Sequence, residues 1–305
     1  FLSFFSLINI IWSQVEYHTI NVGGLEGISR EYYLYVPNEV DLNTPLIFIL
    51  HGYSGSASGI MNYSGFNDLA EEQNFIACYP QGTTDASGNA FWNVGYSFHS
   101  FISVDDVQFI RTLSLHITQE YNLTDYNIFS TGMSNGGDMS YMLGCQASDT
   151  FKAIAPVAGC MMESIYETCD SDPIPVLEIH GTNDNVTLWD GDMDNNDGWG
   201  SYLSTLDGIS FWVEQNECQN SEEIQGPALN TIHHRYFDCM DNTEVWLYEI
   251  VGGGHDWPAY SSQEIWNFFS QFIVSGDINN DGSINIQDII LLINIILESN
   301  FDSNA

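Results

Sequence analysis

At 305 residues, with 44% hydrophobic and 14% aromatic content, the chain can bury one large core and carry a small appendage, which excludes a disordered protein. Only four basic residues, Arg30, Arg111, Lys152 and Arg235, stand against 41 acidic ones, a net charge of -37, so nucleic acid and anionic membrane surfaces are excluded as partners by repulsion. Six cysteines without any C-x-x-C pair fit an oxidising compartment and predict disulfides rather than a zinc site.

Residues 1–12 are almost wholly apolar, too short to span a bilayer and about the length of a signal-peptide h-region. Residues 1–14 therefore read as a signal-peptide remnant and predict a secreted, extracellular protein, the alternative being a buried first strand. Further on, short apolar runs bounded by Gly, Pro and Asn alternate with segments of helical period. Strands are predicted over 32–36, 46–50, 75–79, 127–131, 153–157, 176–179, 231–237 and 244–250, and helices over 104–121, 136–145, 200–215 and 262–274. This alternation predicts an α/β fold over 15–274, a mostly parallel sheet flanked by helices. Cys78, inside the apolar run 75–79, reads as a buried free thiol, and the Asp/Asn/Gly-rich stretch 189–200 as an exposed loop. The composition changes at Ser275-Gly276, so 275–305 is set apart as a second, small unit.

The predicted strand at 127 runs into Gly132-Met133-Ser134-Asn135-Gly136 and then into a helix. A serine on so tight a strand-to-helix turn needs small neighbours, and the turn lifts its hydroxyl to the top of the sheet above a helix N-terminus; this is the nucleophile elbow of the α/β-hydrolase fold. A second strand ends in His51-Gly52-Tyr53-Ser54-Gly55, so the backbone N–H groups of Tyr53 and Asn135 form the natural oxyanion pair, with His51 fixing the loop by hydrogen bonding. In this fold the acid and then the base follow the serine. His255, after the flexible Gly252-Gly253-Gly254, is the best-placed base; His233 and His234 read as surface residues of a strand. Asp184, in the loop beyond the strand at 176, is the candidate acid that holds the imidazole tautomer, whereas Asp190, Asp192 and Asp194 read as solvated.

His51-Gly52-Tyr53-Ser54-Gly55, Tyr79-Pro80-Gln81-Gly82, Trp92-Asn93, Val104-Asp105-Asp106-Val107, Gly132-Met133-Ser134-Asn135-Gly136, His180-Gly181-Thr182-Asn183-Asp184 and Gly254-His255-Asp256-Trp257-Pro258 occur in this order across about 30–270. Together they resemble the polyhydroxybutyrate depolymerase and feruloyl esterase group of α/β-hydrolases, similar to carbohydrate esterase family 1. The resemblance implies ester hydrolysis through an acyl-enzyme with Ser134, Asp184 and His255 as triad, needing no cofactor. It also implies a disulfide between Cys218 and Cys239, while Cys145, Cys169 and Cys160 leave a second bridge open. The Asp105-Asp106 pair is expected to cap the helix that follows.

In the tail, residues 277–288 fit a twelve-residue calcium loop: Asp277, Asn279, Asp281, the Ser283 carbonyl and Asp288 supply oxygens, Asn285 acts through water, and Gly282 makes the turn. With an apolar helix after it, the segment resembles one repeat of a dockerin, with Asp288 at the last ligand position. A half-module of this kind is expected to bind Ca²⁺, and a cohesin-like partner only if a full dockerin exists.

The expectation is thus a serine carboxylic ester hydrolase acting on feruloyl or acetyl esters of polysaccharides or on polyhydroxyalkanoate-type polyesters. The alternative is a non-catalytic polysaccharide- or polymer-binding protein on the same scaffold. Trp92, Trp189 and Trp257 are expected to line or flank the cleft, since planar aromatic faces suit a feruloyl ring or a polymer chain.

Overall fold

The computed structural model describes residues 15–22, 27–276 and 286–301, the side chains of 295–301 excepted. The expected signal remnant at 1–14 and the calcium ligands Asp277, Asn279, Asp281 and Ser283 lie outside these residues.

The strands are β1 (Val15–Val22), β2 (Ile28–Tyr35), β3 (Leu46–Leu50), β4 (Ile76–Pro80), β5 (Thr83–Thr84), β6 (Ala90–Phe91), β7 (Ile128–Met133), β8 (Ala153–Val157), β9 (Val176–Gly181), β10 (Asn220–Gln225), β11 (Thr231–Phe237) and β12 (Val245–Ile250). The helices are α1 (Ala57–Ser64), α2 (Phe66–Gln73), α3 (Asp106–Glu120), α4 (Asn135–Gln146), α5 (Glu163–Tyr166), α6 (Thr205–Gln215), α7 (Ser261–Phe269) and α8 (Ile286–Phe301). Among the described residues no helix is long and apolar enough to cross a membrane.

One ten-stranded sheet has the order β1-β2-β4-β3-β7-β8-β9-β12-β11-β10. The run β4-β3-β7-β8-β9-β12 is parallel. β2 and β1 are added antiparallel at one side, β11 and β10 at the other. β3 and β4 are apolar at every position because helices cover both faces. The two-residue period divides their side chains between two cores. Leu46, Phe48 and Leu50 join Phe109 of α3, Met139 and Leu143 of α4 and Trp212 of α6 on one face. Ile47 and Ile49 join Ile60 of α1, Phe66 of α2 and Phe268 of α7 on the other.

Among the elements that escaped the sequence pattern, three have a plain physical reason. β10, NSEEIQ, is exposed at all positions and so shows no apolar alternation; it is held by its hairpin with β11 and by the Cys218–Cys239 disulfide that ties the outer ends of both strands. Helices α1 and α2 are only eight residues each, broken by Gly65 at φ 73°, too short for a clear helical period. The predicted helix at 200–215 begins later, because Ser204 caps it by accepting from the Asp207 N–H. The second bridge joins Cys145 to Cys169, leaving Cys78 and Cys160 as buried free thiols.

At the C-terminal edge of this unit, the Asn127 side chain donates to the Val274 carbonyl and accepts from the Val274 N–H, at 3.0 and 2.8 Å. In α8 the apolar residues Ile286, Ile289, Ile290, Leu291, Leu292 and Ile293 are each more than a third exposed, while Asp288 is buried in its first turn.

Candidate active site

β7 delivers Ser134 at φ 55° and ψ −121°, a strained left-side conformation, directly ahead of α4. The Ser134 N–H donates to the Val157 carbonyl and its own carbonyl accepts from the Asp138 N–H, so both strand and helix fix the turn. Gly136 is required two residues on: a Cβ there would collide with the Leu50 carbonyl at the end of β3.

His255 and Asp184 come together from separate loops. Gly181 allows this, because a Cβ on it would strike the Gly253 backbone, and the Asn183 N–H donates to the Gly253 carbonyl at 2.8 Å. Asp184 Oδ1 accepts from the N–H groups of Val186 and Thr187 at 2.8 and 2.9 Å, and Oδ2 accepts from His255 Nδ1 at 2.7 Å. The acid side chain is wholly buried and the imidazole is partly exposed. With Nδ1–H pointed at a carboxylate, Nε2 is left free to receive a proton.

Val186 and Thr187, which hold Asp184, also line a pocket with Ser134, Asp138, Tyr96, Cys160, Met162, Trp199 and Tyr202. The pocket wall is aromatic: Trp199 meets Tyr96 edge-on with centroids 5.2 Å apart and Tyr53 at 5.5 Å. Its floor is a buried carboxyl. Asp138 accepts from the Tyr96 hydroxyl at 2.6 Å and from the Cys160 N–H at 2.7 Å, and burial pushes its pKa up to about 6.

The Tyr53 and Asn135 N–H groups have no acceptor among the described residues, the second because it opens α4. The loop carrying Tyr53 is set from behind. Buried His51 donates from Nδ1 to the Gly52 carbonyl and accepts at Nε2 from the Gly82 N–H; burial lowers its pKa to about 4 and keeps it neutral.

Several expectations need correction. Trp92 is no cleft residue: it is fully buried, its indole N–H donates to the His51 carbonyl, and its backbone is clamped by the Asn135 amide in both directions, at 2.7 and 3.1 Å. Trp257 packs on Tyr63 and Phe66 and donates to Ser262, and Trp189 lies edge-on against buried His180; neither is among the residues that line the pocket at Ser134. Asp105 caps α3 through the Gln108 N–H, but Asp106 instead pairs with buried Arg30 at 2.8 Å and accepts from the Asn93 N–H. Neither can water satisfy a cation so deep, so Arg30 needs that partner. His233 is buried between Trp246 and Tyr248 rather than exposed. Pocket residues that the sequence does not single out include Tyr96 and Tyr202, Trp199, which lies in a stretch that looks like plain loop, and Asp138, whose only signal is its place one helical turn after the serine.

Fold and site define the class of protein: an α/β-hydrolase fold with a serine on the strand-to-helix turn and a hydrogen-bonded His255–Asp184 pair. No protein-family model matches the chain. It is 30% identical over 253 residues to the probable feruloyl esterase C of Aspergillus clavatus, covering 79% of this chain and 83% of that one. The chain belongs to the feruloyl esterase family. It also aligns with feruloyl esterase B of Piromyces equi (30% identity, 76% of this chain) and with a bifunctional acetylxylan esterase/xylanase of Neocallimastix patriciarum (23% identity, 85% of this chain). It spans only 43% and 36% of the length of these two relatives. Among solved structures, the acetyl xylan esterase of Aspergillus awamori shares the fold at TM-score 0.63 and 16% identity, over 84% of this chain and 99% of that one.

Proposed function

We propose that the chain is an exported serine esterase that cleaves feruloyl or acetyl groups from polysaccharide through an acyl-enzyme. The observation that carries this reading is the 2.7 Å bond from His255 Nδ1 to Asp184 Oδ2, made by a loop whose next residues share a pocket with Ser134. In this mechanism Ser134 Oγ adds to the ester carbonyl as its proton passes to His255 Nε2. The Tyr53 and Asn135 N–H groups hold the oxyanion that forms. Collapse expels the sugar alcohol, which takes the proton from His255. Water then repeats the sequence on the acyl-Ser134 ester, releasing the acid and restoring the serine.

The aromatic wall of Trp199, Tyr96 and Tyr202 favours a planar acyl group, and the family membership supports the polysaccharide ester. The test is kcat/KM for methyl ferulate, acetylated xylan and 3-hydroxybutyrate oligomers, with fluorophosphonate labelling of the native chain and of Ser134→Ala. Labelling of both proteins, or turnover of the polyester alone, overturns the proposal. A second, separate proposal is that Asp277, Asn279, Asp281, Ser283 and Asp288 bind one Ca²⁺, which rests on their spacing in the sequence. Calorimetric titration of the full chain against the Asp277→Ala variant tests it, and identical heats would refute it.

A further inference from the structure

Behind Asp184 lies a second imidazole that the esterase mechanism leaves unused. His180 and Glu178 alternate with the apolar residues Leu177 and Ile179 of β9, so both project from the sheet face opposite to theirs. The side chains of His180 and Asp184 are wholly buried and that of Glu178 nearly so. His180 Nε2 faces two groups, the Thr187 carbonyl at 2.9 Å and Asp184 Oδ2 at 3.5 Å. Both can only accept, so Nε2 must carry a hydrogen. Nδ1 lies 2.9 Å from Glu178 Oε1. A bare nitrogen against an ionised oxygen would set two lone pairs together in a dry core, so a proton occupies that contact too. Burial raises the Glu178 carboxyl to about 7; burial alone would lower His180, but Glu178, the Thr187 carbonyl and Asp184 carry it above the ordinary histidine value.

We propose that His180 is a positioning residue: paired with Glu178 around one retained proton, it gives its Nε2–H to the Thr187 carbonyl and stands 3.5 Å behind Asp184 Oδ2, and so sets both the placement and the basicity of the carboxylate that His255 meets. The inference rests on the triad reading above. The other titratable groups facing the pair are Asp138 and Tyr141 of α4, Cys160 after β8, and Glu249 of β12, which is in register with His180 but already bound to His234 at 2.8 Å. Trp189 closes the remaining side edge-on, with ring centroids 5.9 Å apart.

Glu178→Gln keeps a hydrogen bond to Nδ1 while leaving His180 neutral. With no cation beside Asp184, the His255 imidazolium is better stabilised, so the acid limb of the kcat/KM–pH profile on a soluble ester should move up by about half a pH unit. His180→Gln should lower kcat about tenfold with KM little changed, as the acid loses its alignment. A Glu178→Gln profile superimposed on the native one would overturn the inference. Histidine ¹⁵N spectra of the native chain serve even if that variant does not fold: His180 Nε2 should stay protonated from about pH 5 to 9, and a bare Nε2 within that range would equally overturn it. Ser134→Ala assayed alongside separates the two readings, since full activity there defeats the triad, whereas an inactive Ser134→Ala with an unshifted Glu178→Gln defeats only this pair.

Discussion

Asp184 divides its two oxygens between unlike partners: Oδ1 takes two backbone N–H groups, from Val186 and Thr187, and Oδ2 takes the imidazole of His255. That division decides what an amide would do in its place. In Asp184→Asn the amide oxygen must occupy the Oδ1 position, because nothing else there can accept from both N–H groups. The NH₂ is then forced against His255 Nδ1. The imidazole answers by moving its hydrogen to Nε2, where it can no longer take a proton from Ser134. We expect kcat to fall by roughly three to four orders of magnitude with little loss of thermal stability, measured by steady-state hydrolysis and calorimetry. Retention of a tenth of the native rate would show that Asp184 does not set the tautomer.

Asp138 makes stability depend on pH in an uncommon direction. Its folded pKa, about 6, lies above the ordinary carboxylate value because of burial, so between about pH 4 and 6 the folded state holds a proton that the unfolded chain has released. Stability from this group therefore falls as pH rises through that window and stays lower above it, by on the order of 3 kcal/mol. Asp138→Asn cannot ionise. The difference in melting temperature between variant and native chain should grow in favour of the variant from pH 4 to 7, and a constant difference would show that Asp138 keeps an ordinary pKa.

Trp199 and Trp257 should separate by substrate. Trp199→Ala opens the aromatic wall of the pocket, so KM for an aryl acyl ester should rise about tenfold while that for a short acetate changes little. Trp257 packs on Tyr63 and Phe66, and its alanine variant should lose stability with both substrates affected alike. The reversed pattern would move the acyl-binding face to the His255 loop.

Asn135 offers a further check through its side chain rather than its N–H. Asn135→Ala leaves the buried N–H of Trp92 without a partner and its carbonyl with the Val94 N–H alone, which should cost about 2 kcal/mol. Because Trp92 in turn holds the His51 carbonyl, kcat should fall more than KM rises. Unchanged kcat would show that the Tyr53 loop stands without this support.

The parts of the molecule legible in sequence are those where one constraint acts. The central strands have to be apolar on both faces, and the turn at Ser134 has to be small on both sides, so both show in the sequence itself. Aromatic residues are harder to place because an indole serves equally as core, clamp or wall: Trp92 is held in the core by Asn135, and the Trp199 wall depends on the path of 189–200, which spacing does not reveal. Asp106 was read as a cap since its neighbour is one; only the fold brings Arg30 within reach. β10 shows the opposite failure, a strand made by its partner and a disulfide with no pattern of its own.

The Asn127–Val274 clamp bears on how this catalytic unit can be joined to other things. Asn127 immediately precedes β7 and Ser134 immediately follows it, so the strand's whole length, about 20 Å, separates the clamp from the nucleophile. Residue 275 therefore stands at the foot of the sheet, with Ser134 at its head. Anything tethered at residue 275 is joined to the fold about 20 Å from that serine.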